Sequence, residues 1–153
     1  MSAMLNPRHT FRPMQMADLD VIMQIEPTIY SHPWTRGNFS DSLNSGYQAW
    51  VLEEDGEIIG YSLLMMVLDE AHLLNLSIAK PHQKLGLGRY LLAHMIAVAK
   101  HHHALNMFLE VRASNEVAIS LYEGIGFCEM SIRRGYYPAK SGREDAVLMG
   151  LAL

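Results

Sequence analysis

Residues Pro81 to Leu92 read "PHQKLGLGRYLL", placing two glycines and two cations where the chain turns from an extended segment into a helical one. Glycine permits positive φ and lets a ligand approach the backbone closely. A helix opening here presents unpaired N–H groups and the positive end of its dipole. Together these features make an anion site, most often for phosphate. Upstream, "AHLLNLSIA" (71–79) reads as a strand that stops just before the loop. Downstream, "GLGRYLLAHMIAVAKHHH" (86–103) reads as a long central helix with Leu87, Leu91, Met95 and Val98 on one apolar face.

Outward from this centre, "HTFRPM" (9–14) reads as a short edge strand. A helix follows in "MADLDVIMQIEPTIY" (16–30), with Asp18 as its N-cap, Leu19, Ile22, Met23 and Ile25 at helical spacing, and Pro27 bending or ending it. Thr35 caps a second short helix. "YQAWVLEEDGEIIGYSLLMMVL" (47–68) reads as a β-hairpin turning at Glu54–Asp55–Gly56. Past the central helix come a strand, "MFLEV" (107–111), a capped helix, "SNEVAISLYEGIG" (114–126), and another strand, "FCEMSIR" (127–133). A loop, "YYPAKSGRE" (136–144), leads to the last strand, "DAVLMGL" (145–151). Strands that first run as hairpins and then alternate with helices predict an α/β fold, a mixed sheet covered by helices. No repeat or linker divides the chain, so one domain over 1–153 is expected, with 1–6 a flexible start.

Composition narrows the function. With 153 residues, 18% charged, a formal charge of −4 and a pI near 6.0, nothing in the composition points to non-specific nucleic-acid binding. The N-terminus lacks the apolar core of a signal peptide, and the apolar run "IIGYSLLMMVL" is too short to span a bilayer. A single cysteine, Cys128, excludes an internal disulfide and suits the reducing cytoplasm. Cys128 is expected to be buried in its strand, and the 11 methionines to fill the core. Consecutive helical side chains point about 100° apart, so His101–His103 do not share a metal; they suit a helix C-terminus instead. The glycine loop is not a dinucleotide site, because Leu91 stands where the third glycine of GxGxxG belongs.

"QKLGLG" (83–88) resembles the Q/R-x-x-G-x-G/A loop of the Gcn5-related N-acetyltransferases (GNAT). Within that superfamily, "VLDEAHLLNLSIAKPHQ", "LEVRASNEVAISLYEGIGF", "RRGYYP" and "EDAVLM", together with "HPWT", resemble the bacterial ribosomal-protein alanine N-acetyltransferases of RimI type. The resemblance runs over nearly the whole chain. It implies the GNAT fold, a mostly antiparallel central sheet of about seven strands flanked by about four helices. It also implies acetyl-coenzyme A (acetyl-CoA) as cosubstrate, no metal, and the N-terminal alanine of a small-subunit ribosomal protein, number eighteen, as target.

The resemblance also implies roles. The amides of Lys84, Leu85, Gly86, Leu87, Gly88 and Arg89 hold the pyrophosphate, and Leu76, Ser77 and Ile78 pair with the pantetheine arm, the Ile78 amide polarising the acetyl carbonyl. Glu110 is general base, on a strand face shared with Phe108 while Leu109 and Val111 point the other way. Tyr122 is general acid, Asn115 caps its helix and contacts the cofactor, and Tyr136 and Tyr137 hold the substrate backbone. By their charge, and not by the resemblance, Asp69 and Glu70 are expected to meet a cationic second residue of the substrate. Two other readings stay open: a lysine or small-amine acetyltransferase on the same scaffold, and a non-catalytic acetyl-CoA sensor.

Overall fold

Residues 8–153 are described by a computed structural model; the expected flexible start, 1–6, lies outside them. Among the described residues seven strands form one sheet in the order β1-β2-β3-β4-β5-β7-β6. Their ranges are β1 His9–Pro13, β2 Gln48–Glu54, β3 Glu57–Val67, β4 Glu70–Ile78, β5 Asn106–Arg112, β6 Cys128–Ala139 and β7 Gly142–Ala152. The helices are α1 Leu19–Ile29, α2 Arg36–Asn44, α3 Leu87–His101 and α4 Glu116–Ile125, with short 3-10 turns at Met16–Asp18 and Lys80–His82. β4 and β5 run parallel, as a helical crossover through α3 requires, while β1–β2, β2–β3, β5–β7 and β6–β7 are antiparallel. The expected α/β architecture is the one observed.

Two compact units are seen. One comprises the described residues up to Leu64 together with Asn75–Met95. Its core gathers Leu19 and Ile22 of α1, Phe39 of α2, Val51 of β2 and Tyr61 and Leu63 of β3, with Trp34 packed against it. Each aliphatic or aromatic side chain so buried contributes about 1.5–3 kcal/mol. The β2–β3 turn takes positive φ at Asp55 (50°) and Gly56 (82°), the geometry that matches strand twist in a two-residue hairpin. Thr35 caps α2 as expected, its hydroxyl accepting from Asn38 N (3.1 Å) while Asn38 Oδ1 accepts from Thr35 N (3.0 Å). Asp18 does not cap α1 through its side chain. It accepts instead from Arg12 (2.8 and 2.9 Å) and from Gln15 N (2.7 Å), because β1 brings a guanidinium to it. Pro27 lies within α1, which continues to Ile29.

The other unit comprises Met65–Leu74 and Ile96–Leu153. Alternation along β5 buries Met107, Leu109 and Val111 and turns Phe108 and Glu110 to the opposite face, as predicted. α3 ends at His101, and His102 bonds the Val98 carbonyl through both its backbone N–H (3.1 Å) and its ring Nδ1 (2.9 Å). Three expectations need correction. The methionines do not all fill the core: Met130 on β6 is exposed, as is Met16 before α1. Cys128 is exposed, because β6 lies at the sheet's edge. The segment 136–144 is not a loop: β6 continues to Ala139 and β7 begins at Gly142. The register shifts between Arg133 and Tyr137, where Gly135 takes φ of 58° and its N–H is held by Asp145 Oδ1 (2.9 Å). Glycine and proline there mark a bulge and an edge strand, the two places in a sheet that tolerate them.

Candidate active site

In the first unit, the chain leaves β4, makes the 3-10 turn and reaches α3 through Gln83–Gly86. Lys84 and Gly86 both take positive φ, 64° and 80°, on either side of Leu85. Alternation of this kind turns successive N–H groups toward one concavity, a site for an anion. A Cβ at Gly86 would meet nothing within 4 Å, so the φ angle, not crowding, demands glycine there, and the surface stays open to a ligand. Gly88 and Arg89 lie in the first turn of α3, which adds its dipole. Lys84, Leu85 and Arg89 are exposed and Leu87 half-buried. Beside the loop, a cavity of about 400 Å³ is lined by Leu85, Gly86, Arg89, Tyr90, His9 and Glu54. Glu54 in its wall is paired with Arg8 at 3.2 Å and lies 3.2 Å from His9 Nε2.

The last residues of β4 offer backbone rather than side chains. Ser77 and Ile78 are buried, and the Ser77 hydroxyl bonds Asn75 Oδ1 (2.6 Å). Two contacts escaped the sequence reading. Gln83 Nε2 donates to the Ile78 carbonyl (2.9 Å), tying the loop's first residue to the strand it leaves. The Tyr30 hydroxyl lies 3.0 Å from the Leu76 carbonyl. Gln83 belongs to the glycine-loop motif and was within reach of sequence reasoning; Tyr30, 46 residues from its partner, was not.

In the second unit, a cavity of about 210 Å³ is lined by His72, Phe108, Glu110, Tyr136, Tyr137 and Leu148, among others. Three of the expected site residues, Glu110, Tyr136 and Tyr137, therefore share one wall. Glu110 faces Leu148 of β7 across the sheet, and its side chain is 29% exposed. Its Oε2 is buried and accepts no hydrogen bond from the described residues; Arg133 Nε lies 3.7 Å away, close enough for charge but too far for a bond. The two tyrosine rings meet edge to face at 5.0 Å and 74°. Arg112 stacks on Tyr137 at 4.6 Å and Arg133 on Tyr136 at 5.3 Å. Burial, and then the nearby Glu110 charge, push the Tyr137 hydroxyl up to about 12, so it remains a hydrogen-bond donor at neutral pH.

Tyr122 is buried in α4 and packs edge to face on Phe127 at 5.6 Å. Asn115 caps α4, its Oδ1 accepting from Ala118 N (3.2 Å), and is otherwise exposed. Asp69 and Glu70 do not line the cavity. Asp69 accepts from Leu105 N through its backbone (2.7 Å), and Glu70 lies 3.1 Å from His72 Nε2. His72, which the sequence reading did not select, supplies the wall instead. Among the described residues no group of three or more His, Cys, Asp or Glu is arranged to hold a metal ion, and no helix is long and apolar enough to cross a membrane.

Residues 19–127 match the acetyltransferase (GNAT) family. The chain is 38% identical over 145 residues to the [ribosomal protein bS18]-alanine N-acetyltransferase of Escherichia coli K12, covering 95% of this chain and 98% of that one. It is 32% identical over 144 residues to the putative enzyme of the same name from Bacillus subtilis, covering 93% and 94%. The crystal structure of the E. coli ribosomal-protein-S18-alanine N-acetyltransferase superposes with a TM-score of 0.89 over 94% of this chain and 93% of that one. Family, fold and loop thus agree: the chain belongs to the acetyltransferase (GNAT) family and is an acetyl-CoA-dependent N-acetyltransferase.

Proposed function

We propose that this enzyme acetylates the α-amine of an N-terminal alanine, with ribosomal protein bS18 as its substrate in the bacterial cytoplasm. The observation that carries the reading is a carboxylate oxygen, Glu110 Oε2, buried beside a cavity walled by two tyrosines and accepting no hydrogen bond from the described residues. A protonated amine brought to such an oxygen supplies the missing donor. The name shared by relatives that align over nearly the whole chain supports the choice of alanine and of bS18.

The chemistry is attack of a neutral amine on a thioester: an N–C bond forms, a C–S bond breaks, and coenzyme A leaves as a thiolate. Glu110 takes the amine proton, directly or through one water. An α-amine has a pKa of about 7.7–8.0 against about 10.4 for lysine, so its deprotonation costs roughly 3.4 kcal/mol less. The loop amides from Lys84 to Arg89 bind the pyrophosphate, with the Lys84 and Arg89 charges beside it. The backbone of Leu76–Ile78 pairs with the pantetheine arm, and the Ile78 N–H polarises the acetyl carbonyl. Tyr122 serves the leaving thiolate. A phenol of pKa about 10 is a weaker acid than a thiol near 8.5, so full transfer is uphill by roughly 2 kcal/mol, and a hydrogen bond to sulfur stabilises the thiolate without it. Tyr136 and Tyr137 hold the peptide backbone, Asn115 contacts the cofactor, and Asp69 and Glu70 favour a cationic second residue.

Mass spectrometry on two peptides tests the reading. One begins with free Ala-Arg and lacks lysine; the other has a blocked N-terminus and an internal lysine. Acetylation of the first alone is expected. Acetylation of the second alone moves the enzyme to lysine, and acetylation of neither, with acetyl-CoA bound, favours another amine or a sensor.

A further inference from the structure

One buried charge has no part in this chemistry. Glu26 of α1 is 1% exposed, and a buried carboxylate persists only where donors replace its water. Glu26 Oε2 accepts from Trp34 N (2.9 Å); Oε1 accepts from the Tyr61 hydroxyl (2.7 Å) and from Asn75 Nδ2 (3.4 Å). Asn75 then passes the polarisation along β4, its Oδ1 accepting from the Ser77 hydroxyl at 2.6 Å. With its own proton given to Asn75, Ser77 Oγ is left as an acceptor toward the Tyr30 hydroxyl, 2.7 Å away. That hydroxyl also lies 3.0 Å from the Leu76 carbonyl, so one phenolic proton is divided between Ser77 and Leu76. Burial, and to a smaller degree the Glu26 charge, push Tyr30 up to about 12, so the proton stays in place across the neutral range.

We propose that Glu26, Asn75, Ser77 and Tyr30 form a positioning chain that sets the direction and hydrogen-bonding capacity of the Leu76 carbonyl for the pantetheine arm of acetyl-CoA. This rests on the proposed pairing of that arm with Leu76–Ile78. Two features set the chain apart from ordinary core packing. It ends on a backbone group of the strand that receives the cofactor, and it starts from a charge fixed by the segment after α1, at Trp34 N. The carbonyl's partner is thereby a hydroxyl whose proton is confined between Leu76 O and Ser77 Oγ. Tyr30 and Glu26 are positioning residues, acting through Leu76.

Calorimetric titration with acetyl-CoA, beside steady-state kinetics and thermal melts, tests this on the wild type, Tyr30→Phe and Glu26→Gln. Tyr30→Phe keeps the ring and removes only the hydroxyl. Affinity for acetyl-CoA is expected to fall roughly three- to tenfold, the worth of one neutral hydrogen bond, with the acetyl-CoA KM rising in step. The peptide KM is expected to stay within about twofold, since the amine side is untouched. Glu26→Gln sets an amide N–H against one of three donors and is expected to weaken acetyl-CoA in the same direction while lowering the melting temperature. A Tyr30→Phe enzyme that binds acetyl-CoA as tightly as wild type overturns the proposal. Loss in Tyr30→Phe without loss in Glu26→Gln removes Glu26 from the chain. Wild-type protein that gives no heat with acetyl-CoA overturns the cofactor reading itself, a result separable from either.

Discussion

Arg133 Nε stands 3.7 Å from Glu110 Oε2, near enough to feel its charge and too far to donate to it. The separation leaves a buried carboxylate oxygen beside a cationic neighbour that does not occupy it. A structural ion pair would close this gap, as Arg12 does on Asp18 at 2.8 Å. The Arg133 side chain is 54% exposed, so solvent and salt screen its influence. The oxygen is therefore left open to another donor, and in the proposed mechanism that donor is the substrate amine.

Glu110→Gln is accordingly expected to lower kcat/KM for an alanine-first peptide by about 10²–10⁴-fold, the usual worth of a general base. The defect should shrink as pH rises through about 8, where the α-amine becomes neutral unaided. Arg133→Ala should change kcat/KM by no more than about fivefold, since an exposed pair contributes little. Rates of coenzyme A release against pH decide both points. A Glu110→Gln enzyme as active as wild type across the range would remove Glu110 from the mechanism.

Tyr122→Phe separates chemistry from packing. The ring is buried against Phe127, and phenylalanine preserves that contact, so the melting temperature should move by no more than about 2–4 °C. If the hydroxyl serves the leaving thiolate, kcat should fall by about 10²-fold while both KM values hold. Unchanged kcat would assign Tyr122 to the core alone.

Local signals account for what is legible in the sequence. The Asp55–Gly56 turn, the Thr35 cap, the face of α3 and the two faces of β5 each follow from residues within a few positions of one another. The glycine loop is of the same kind, since φ at Gly86 is a property of one residue and its neighbours. Departures arise where a distant partner overrides a local preference. Asp18 has the side chain of a cap, yet Arg12 on β1 claims it. Gly135 and Pro138 carry turn chemistry, yet pairing with β7 extends the strand through them. Glu26 has the sequence context of a polar helix residue, and only the fold brings Tyr61 and Asn75 to it. His72 reaches the cavity wall for the same reason, through its alignment with Phe108 on the parallel neighbour β5.

Gly86→Ala tests the proposed anion loop. The new methyl meets open space, so the cost is that of holding an L-residue at φ of 80°, about 1–3 kcal/mol. Part of that cost is expected as lost stability and part as a loop that no longer presents its amides. The acetyl-CoA KM should rise about tenfold or more, with the peptide KM unchanged. Lys84→Gly acts in the opposite sense on the backbone, because Lys84 already sits at φ of 64°. Relief of about 1–2 kcal/mol of left-handed strain outweighs the freedom, about 0.4–1 kcal/mol, that glycine adds to the unfolded chain. The variant should therefore be slightly more stable while lacking a charge at the site. Chemical denaturation alongside acetyl-CoA titration resolves the two effects.

The Arg12–Asp18 pair makes a prediction about acid. The two hydrogen bonds from Arg12 come first among the causes that hold the Asp18 carboxyl below its ordinary range, with the Gln15 N–H adding to them. A folded-state value depressed below the unfolded one means that the unfolded chain binds the proton more readily. The stabilisation is therefore complete above the ordinary aspartate value of about 3.9 and is lost as pH falls through the lower folded value. Asp18→Asn should cost about 1.5–3 kcal/mol at neutral pH, the range for hydrogen bonds to a charged group. The gap between variant and wild type should then narrow once the medium is more acidic than about pH 4. Denaturation curves at neutral and acidic pH would show this convergence, and a gap that stayed constant into acid would mean that Asp18 stabilises the turn after β1 by shape alone.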